Sequence, residues 1–200
     1  GGFGNTYLAK NIEFDETYAI KEFFVKGVCQ RDGNSTTISV SNAENTNSFE
    51  QQREKFKKEA RRLRSLSNPH IVKVYDLFEE NGTAYYVMDY VDGENLSARL
   101  KRTNAPLSES EVRNYLNQIL DGLEAIHNEG MFHLDFKPAN IMVDSHDVVK
   151  LIDFGASKQQ STEGGATMST GISYTNGYAP SEQMAQSYDK FGPWTDFYSL

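Results

Sequence analysis

The sequence predicts an α+β fold in two parts, a β-rich first part with one long helix and a mainly helical second part. Short runs of β-branched and aromatic residues dominate the chain up to residue 90, and two of them are joined by the hairpin sequence Asn81-Gly82. One amphipathic pattern interrupts these runs after residue 48. Beyond residue 94, apolar side chains repeat mainly at helical spacing.

Strands account for most of the first part. They are predicted at residues 5–9, 17–24, 71–79 and 83–90. Residues 26–47 are rich in Gly, Ser, Thr and Asn and predict an insertion or long loop, with a short strand over residues 36–40. We assign this insertion no role.

The long helix of the first part begins, on the sequence pattern, at a capping box formed by Ser48 and Gln51. Phe56, Ala60 and Leu63 then lie on one helical face. The prediction is an amphipathic helix that packs on the strands, and Asn68-Pro69 ends it.

Helices dominate the second part. A short helix is predicted over residues 95–102, and a longer one follows Pro106, with Ser108 and Glu111 as its capping box and Gly130 at its end. Residues 141–152 then predict a β-hairpin around a polar turn.

Composition limits the classes of partner and compartment. With 38% hydrophobic and 12% aromatic residues, the chain can bury a sizeable core, and its net charge of −8 argues against nucleic acid or an anionic membrane as a partner. The single cysteine, Cys29, excludes an internal disulfide and is typical of a reducing compartment. We expect a cytoplasmic location and no direct membrane contact from this segment. Because the sequence starts at Gly1 without methionine and stops at Leu200 in an apolar run, we expect a fragment, with any membrane anchor outside it.

The residues with the clearest chemistry lie between 133 and 155. Asp135 is followed by Lys137 and Asn140, and Asp153 comes eighteen residues after Asp135. Transfer of a γ-phosphoryl group needs an acceptor for the incoming hydroxyl's proton, and oxygen ligands for the cations that bridge the phosphates. Asp135 suits the first role, Lys137 adds a positive charge, and Asn140 and Asp153 suit Mg²⁺. The spacing therefore indicates phosphoryl transfer.

The segments His133-Leu134-Asp135-Phe136-Lys137-Pro138-Ala139-Asn140 and Asp153-Phe154-Gly155 resemble the catalytic and metal-binding loops of eukaryotic-type protein kinases. The resemblance implies a two-lobed kinase-like fold, with a β-rich N-lobe over 1–88, a hinge over 89–93 and an incomplete, mainly helical C-lobe over 94–200. The first N-lobe strand and the last helices would lie outside the sequence. It further implies a serine/threonine kinase, of the kind found in bacteria, that uses ATP and Mg²⁺ to phosphorylate Ser/Thr of a protein substrate.

The same resemblance implies ATP contacts in the N-lobe. Gly1 and Gly4 match the last two glycines of the phosphate-binding loop, and Lys21 matches the strand lysine that contacts the phosphates and pairs with a helix glutamate. Glu59 is the preferred partner, and Glu54 is the alternative. The other implied ATP contacts are Gly2, Phe3, Thr6, Ala19, Met88, Asp89, Val91 and Met142.

The chain after Asp153 resembles a kinase activation loop and substrate segment. In similar kinases this loop orders the site, and the alternative is a flexible loop without a switch. Its hydroxyl-bearing residues are Ser157, Ser161, Thr162, Thr167, Ser169, Thr170, Ser173 and Thr175. Thr175 matches the threonine that contacts the catalytic Asp and Lys, Glu182 an anchoring glutamate, and Asp196 the aspartate that braces the catalytic loop. Leu134 stands where many kinases carry an arginine that pairs with a phosphorylated residue, so we expect activity that does not depend on that phosphate.

Two other functions are compatible with parts of this pattern. A pseudokinase or scaffold would bind nucleotide without transfer, but all the residues assigned to chemistry are present. A small-molecule phosphotransferase of kinase-like fold usually lacks Lys137 and the segment from Thr175 to Glu182. Labelled phosphate on Ser or Thr of a protein would separate a protein kinase from both alternatives.

Overall fold

A computed structural model of the chain describes residues 4–31, 33, 35–42, 45–154 and 174–200, and the backbone of 158–159. The chain divides into two compact units, the first formed by Gly1–Ser67 and Val72–Tyr90 and the second by Asn68–Ile71 and Val91–Leu200. The elements are those of an α+β protein, as predicted.

The first unit is built on an antiparallel sheet. Its strands are β1 (Asn5–Asn11), β2 (Glu16–Glu22), β3 (Cys29–Arg31), β4 (Ile38–Val40), β5 (Val74–Glu80) and β6 (Thr83–Asp89). Four of them form one sheet in the order β1-β2-β6-β5, and β3 and β4 pair with each other in a second, two-stranded sheet. The predicted Asn81-Gly82 hairpin is confirmed, since β5 and β6 pair across it. Both turn residues have positive φ, 53° at Asn81 and 74° at Gly82, as a tight hairpin turn requires.

Helix α1 (Thr46–Ser65) covers one face of this sheet. Its buried Phe56 stacks on Tyr86 of β6 at 4.8 Å between ring centroids and lies 5.6 Å from Phe23. The predicted capping box is wrong, because the helix begins two residues before Ser48. The Ser48 hydroxyl instead accepts a hydrogen bond from the Gln52 side chain at 3.0 Å.

The insertion over residues 26–47 holds a short hairpin, β3 with β4, rather than a single strand. Arg31 at the end of β3 forms an ion pair with Glu22. Glu22 is the last residue of β2 and is fully buried. Glu22 also accepts hydrogen bonds from Asn5 and from the hydroxyl of Tyr7, each at 3.0 Å. The ion pair of Arg31 therefore anchors the insertion to the main sheet.

The second unit combines helices with short strands. Its elements are β7 (Gly93–Asn95), α2 (Leu96–Thr103), α3 (Glu109–Asn128), β8 (Met131–Phe132), β9 (Ile141–Asp144), β10 (Val149–Leu151), β11 (Lys158–Gln159), α4 (Ser181–Met184) and α5 (Pro193–Tyr198), with 3₁₀ turns at Pro138–Asn140 and Tyr188–Lys190. The sheet order is β10-β9-β7, and β11 pairs with β8. The predicted hairpin over 141–152 is thereby confirmed.

Helix α3 forms the centre of the second unit. Its predicted capping box is present, with the Ser108 hydroxyl accepting from the Glu111 amide while the Glu111 side chain accepts from the Ser108 amide. The inward face of the helix buries Leu123 and Ile126 completely. Residues 68–71 join this unit because the carbonyl of His70 accepts from the amide of Leu151 at 2.8 Å.

No helix among the described residues has both the length and the apolar character needed to cross a lipid bilayer.

Candidate active site

The three predicted catalytic residues lie together in the second unit. The Lys137 ammonium is 2.8 Å from Oδ2 of Asp135 and 3.0 Å from its Oδ1. The Thr175 hydroxyl donates to Oδ1 of Asp135 at 2.7 Å and accepts from Lys137 at 2.8 Å. The contact predicted for Thr175 is therefore present, and one carboxylate, one cation and one hydroxyl converge on a single point.

Asn140 completes this cluster from the 3₁₀ turn that follows Lys137. It is buried, and its amide group donates both to the main-chain carbonyl of Asp135 at 2.8 Å and to its Oδ2 at 3.0 Å. Because both donors point at Asp135, the amide oxygen of Asn140 remains as a ligand for a cation. The main-chain carbonyl of Asn140 accepts from the amide of Ile152 at 3.0 Å, which ties the turn to the residue before Asp153.

The donor set fits Mg²⁺. Mg²⁺ is usually held by one or two protein oxygens, with water and substrate phosphates completing its octahedron. Asn140 and Asp153 offer one amide oxygen and one carboxylate, and Asp153 has a positive φ of 62°. Within the described parts of the chain, no group of three or more His, Cys, Asp and Glu side chains could hold a metal ion. One amide oxygen and one carboxylate match the small number of protein oxygens that Mg²⁺ usually takes.

Buried side chains hold the backbone before Asp135. Asp196, at the start of α5, accepts from the amides of His133 and Leu134, each at 2.9 Å. The ring of His127 donates to the same carboxylate at 2.8 Å, since a carboxylate can only accept. The bracing contact predicted for Asp196 is thus present, and the side chain of His127 supports it.

Leu134 adopts an unusual conformation in this loop. Its φ is 61°, in the left-handed region that branched side chains rarely occupy. Its side chain is 3% exposed and packs in an apolar cluster with Phe132 and Phe191. Its carbonyl accepts a hydrogen bond from the side-chain amide of Gln183, which is 1% exposed. Gln183 was not predicted as a site residue from the sequence, because only the backbone conformation at Leu134 shows which carbonyl needs a donor.

The predicted lysine–glutamate pair is present in the first unit. Nζ of Lys21 on β2 lies 3.7 Å from Oε1 of Glu59 on α1, and both side chains are largely buried. The Tyr86 hydroxyl donates to the same oxygen at 3.1 Å. Glu54 instead pairs with Lys57 at 2.7 Å. Of the two candidate partners for Lys21, the structure therefore selects Glu59.

Gly4 and the strand residues around Lys21 also belong to the first unit. Thr6 lies opposite Lys21 in the sheet, and Ala19 lies opposite Met88. Gly4 has a φ of 136°, and a Cβ there would come within 2.5 Å of the carbonyl oxygen of Glu22. Glycine at this position is therefore required by the close approach to β2, whatever its role toward phosphate.

The predicted hinge residues fall at the division between the units. Asp89 ends β6, and its carboxylate accepts from the amide of Lys73 at 3.0 Å and from the Tyr75 hydroxyl at 2.7 Å. The bond with Asp89 raises the pKa of Tyr75 to about 12. Val91 belongs to the second unit, as does Met142, which lies on β9 opposite Lys150.

Several predicted site residues lie outside the described part of the chain. They are Gly1, Gly2, Phe3, Gly155, and the activation-loop residues Ser157, Ser161, Thr162, Thr167, Ser169, Thr170 and Ser173. Glu182, the predicted anchor, is described, and it accepts from the Thr195 hydroxyl at 3.2 Å.

Comparison with known proteins places this arrangement in context. The sequence model of the family described as protein kinase domain matches residues 1–200. Serine/threonine-protein kinase PrkC of Bacillus subtilis is 34% identical over 176 residues, which are 88% of this chain and 23% of the relative. Serine/threonine-protein kinase F of Synechocystis is 34% identical over 218 aligned residues, covering 100% of this chain and 40% of the relative. Mitogen-activated protein kinase kinase kinase 2 of Arabidopsis thaliana is 36% identical over 159 residues, 80% of this chain and 22% of the relative.

The fold has a counterpart among solved structures. The structure described as the apo form of PpkA-294 matches with a TM-score of 0.85 and 29% identity, covering 100% of this chain and 69% of that chain. The curated relatives are much longer, since this chain spans between 22% and 40% of the length of the three described above.

Proposed function

Since this chain belongs to the protein kinase family, we propose that it transfers the γ-phosphate of ATP to serine or threonine hydroxyls of protein substrates. The observation that supports this proposal most directly is that Thr175 and Lys137 both contact one carboxylate oxygen of Asp135. The similarity to PrkC and to kinase F, both named serine/threonine-protein kinases, supports the substrate class.

Asp135 is the proton acceptor in this proposal. As the substrate oxygen forms its bond to the γ-phosphorus, the bond to the leaving ADP oxygen breaks and the hydroxyl proton passes to the carboxylate of Asp135. Lys137, 2.8 Å from that carboxylate, supplies positive charge beside the transferring group. Thr175 bonds to both groups and fixes their separation, so the acceptor and the cation keep one geometry through the step.

ATP and Mg²⁺ are the small molecules that the residues of the two units suit. Asn140 and Asp153 would hold Mg²⁺, which neutralises phosphate charge when bound. In the first unit, Glu59 holds the ammonium of Lys21 in place, and the proposed role of Lys21 is to contact the α- and β-phosphates. The proposed adenine contacts are Met88, Asp89 and Val91.

The net charge and the single cysteine support two further parts of the proposal, that nucleic acid is not a partner and that the chain is located in the cytoplasm. The net charge of −8 disfavours nucleic acid as a partner. Cys29 is buried as a free thiol, which is consistent with the reducing conditions of the cytoplasm.

A transfer assay tests the proposal. The full-length protein is incubated with Mg²⁺, labelled ATP and a Ser/Thr-rich protein, beside an Asp135→Asn variant and the exposed control Asp189→Asn. We expect phosphate on Ser or Thr, a loss of at least about 100-fold in Asp135→Asn, and no change in the control. Nucleotide binding by the wild type without transfer would favour a scaffold. ATP consumption with a small acceptor and no labelled protein would favour a small-molecule phosphotransferase.

A further inference from the structure

The peptide groups on both sides of Leu134 are held by buried side chains from distant parts of the second unit. The amide of Leu134 donates to Oδ1 of Asp196 at 2.9 Å, and its carbonyl accepts from Nε2 of Gln183. A leucine with a φ of 61° is costly and persists only where its surroundings hold it. Because the carbonyl of Leu134 directly precedes the nitrogen of Asp135, whatever holds that carbonyl also orients the proposed proton acceptor.

Gln183 belongs to the same chain segment as Thr175. In that segment the amides of Tyr178 and Ala179 return to the carbonyl of Thr175 at 3.2 and 3.3 Å, and the amide of Gln183 bonds to Pro180 at 3.1 Å. One end of the segment touches Asp135 through Thr175, and the other touches the preceding carbonyl through Gln183. The segment therefore contacts two adjacent residues of the catalytic loop, Leu134 and Asp135, in both cases through an uncharged donor.

The side chain of Leu134 is apolar, so residue 134 cannot orient the loop through a charged contact with a phosphate group. It lies in the apolar cluster with Phe132 and Phe191 and cannot pair with a phosphate group. Gln183, by contrast, is buried and places a neutral donor on the backbone of the same residue.

We propose that Gln183 is a positioning residue that locks the substrate segment to the catalytic loop through the carbonyl of Leu134, so that Asp135 is oriented without a phosphate group on the protein. This inference rests on the proposed kinase function. Loss of the Gln183 donor leaves a buried carbonyl without its partner and allows the left-handed turn to relax. A displacement of the order of 1 Å at the proton acceptor lowers a rate by about 100-fold.

Two substitutions separate positioning from simple packing. Gln183→Leu keeps a buried side chain of similar length but cannot donate, so kcat should fall about 10- to 100-fold at every pH. Gln183→Glu has nearly the same shape. Its ionised form repels the Leu134 carbonyl, whereas its protonated form donates to it, and burial raises the pKa of such a carboxyl. The ratio of variant to wild-type kcat should therefore rise as the pH falls from about 8 to about 6. KM for ATP should stay within about 2-fold in both variants, because the substitutions do not touch the residues proposed to bind ATP.

The experiment uses the full-length protein after phosphatase treatment, with rates measured below the unfolding temperature of every variant. Gln118→Leu is the matched control, because Gln118 also bonds main-chain groups, at Asp147 and Val149, but lies away from the catalytic loop. It should lower the melting temperature without lowering kcat.

Three results would overturn the inference while leaving the kinase function intact. They are an unchanged kcat in Gln183→Leu, a Gln183→Glu ratio that does not vary with pH, and loss of wild-type activity on phosphatase treatment that rephosphorylation restores. A wild type that transfers no phosphate to protein, whether or not it is phosphorylated, refutes the proposed function itself.

Discussion

Substitution of Asp196 by asparagine tests whether the catalytic loop depends on a buried carboxylate more than sixty residues away in the chain. Asp196 has a fully buried side chain and accepts three hydrogen bonds of 2.8 to 2.9 Å, from the amides of His133 and Leu134 and from the ring of His127. Asparagine has the same shape but only one acceptor atom and no charge.

The geometry determines how many of these bonds asparagine can keep. With its oxygen in the place of Oδ2 it retains His133 and His127, but its NH₂ group then faces the amide of Leu134. A buried donor left without an acceptor costs about 1–3 kcal/mol. Each retained bond loses its charge assistance, worth about 1 kcal/mol. The total is about 3–5 kcal/mol, a large part of the roughly 5–15 kcal/mol that stabilises a typical protein.

Thermal unfolding measures this loss. For a protein of this size each kcal/mol shifts Tm by about 2–4 °C, so Asp196→Asn should lower Tm by about 6–20 °C. The exposed Asp189→Asn should change stability by no more than about 0.5 kcal/mol. Because Leu134 precedes Asp135, kcat should also fall at temperatures where the variant is still folded. A Tm within 2 °C of the wild type, as a rough limit, together with an unchanged kcat would refute the reasoning.

Two further predictions concern other parts of the molecule. Glu59→Gln removes the charge that faces Lys21 at 3.7 Å, so KM for ATP should rise about 10-fold in steady-state kinetics. The control is Glu54→Gln, at an exposed position, which should leave KM for ATP unchanged. Equal KM values for both variants would contradict the role of Glu59. Burial, together with the bond to Asp147, raises the pKa of Tyr115 to about 12, whereas an unfolded tyrosine titrates near 10. The folded state therefore keeps a proton that the unfolded state releases. The stability that Tyr115 contributes below about pH 10 should be lost as the pH rises toward 12, by up to about 3 kcal/mol. Denaturant titrations at several pH values should show this slope in the wild type and a shallower one in Tyr115→Phe, and parallel slopes would contradict it.

Local sequence patterns predicted the elements that local interactions determine. The capping box at Ser108 and Glu111 marks the start of α3 correctly, because both of its bonds lie within one helical turn. The Asn81-Gly82 turn likewise specifies its hairpin through positive φ values that few other residues adopt. The similar pattern at Ser48 does not mark the start of α1, because the helix begins earlier and Ser48 lies inside it.

Contacts between distant segments were less accessible to sequence reasoning. Nothing near Glu22 indicates that its buried carboxylate will meet Arg31 from the insertion, since a charged residue at the end of a strand is usually solvated. Asp196 was identified only through the resemblance to protein kinases. Without that resemblance, an aspartate in the first turn of a short helix would be interpreted as a residue that interacts favourably with the helix dipole.

The position of Leu134 shows why chemistry and conformation were predictable to different degrees. Asp135 has to be an acid for proton transfer, so its identity can be recognised in the sequence alone. The side chain of Leu134 packs in an apolar cluster, but Leu134 orients the catalytic loop through its backbone. That backbone is held in a left-handed turn by Asp196 and Gln183, 62 and 49 residues further along the chain. Such a position accepts another side chain that fits its buried surroundings, as long as its two distant backbone partners remain. The structure therefore accommodates leucine where many kinases have arginine, and we expect exchange of Gln183 or Asp196 to affect this loop more than a conservative apolar exchange at Leu134 itself.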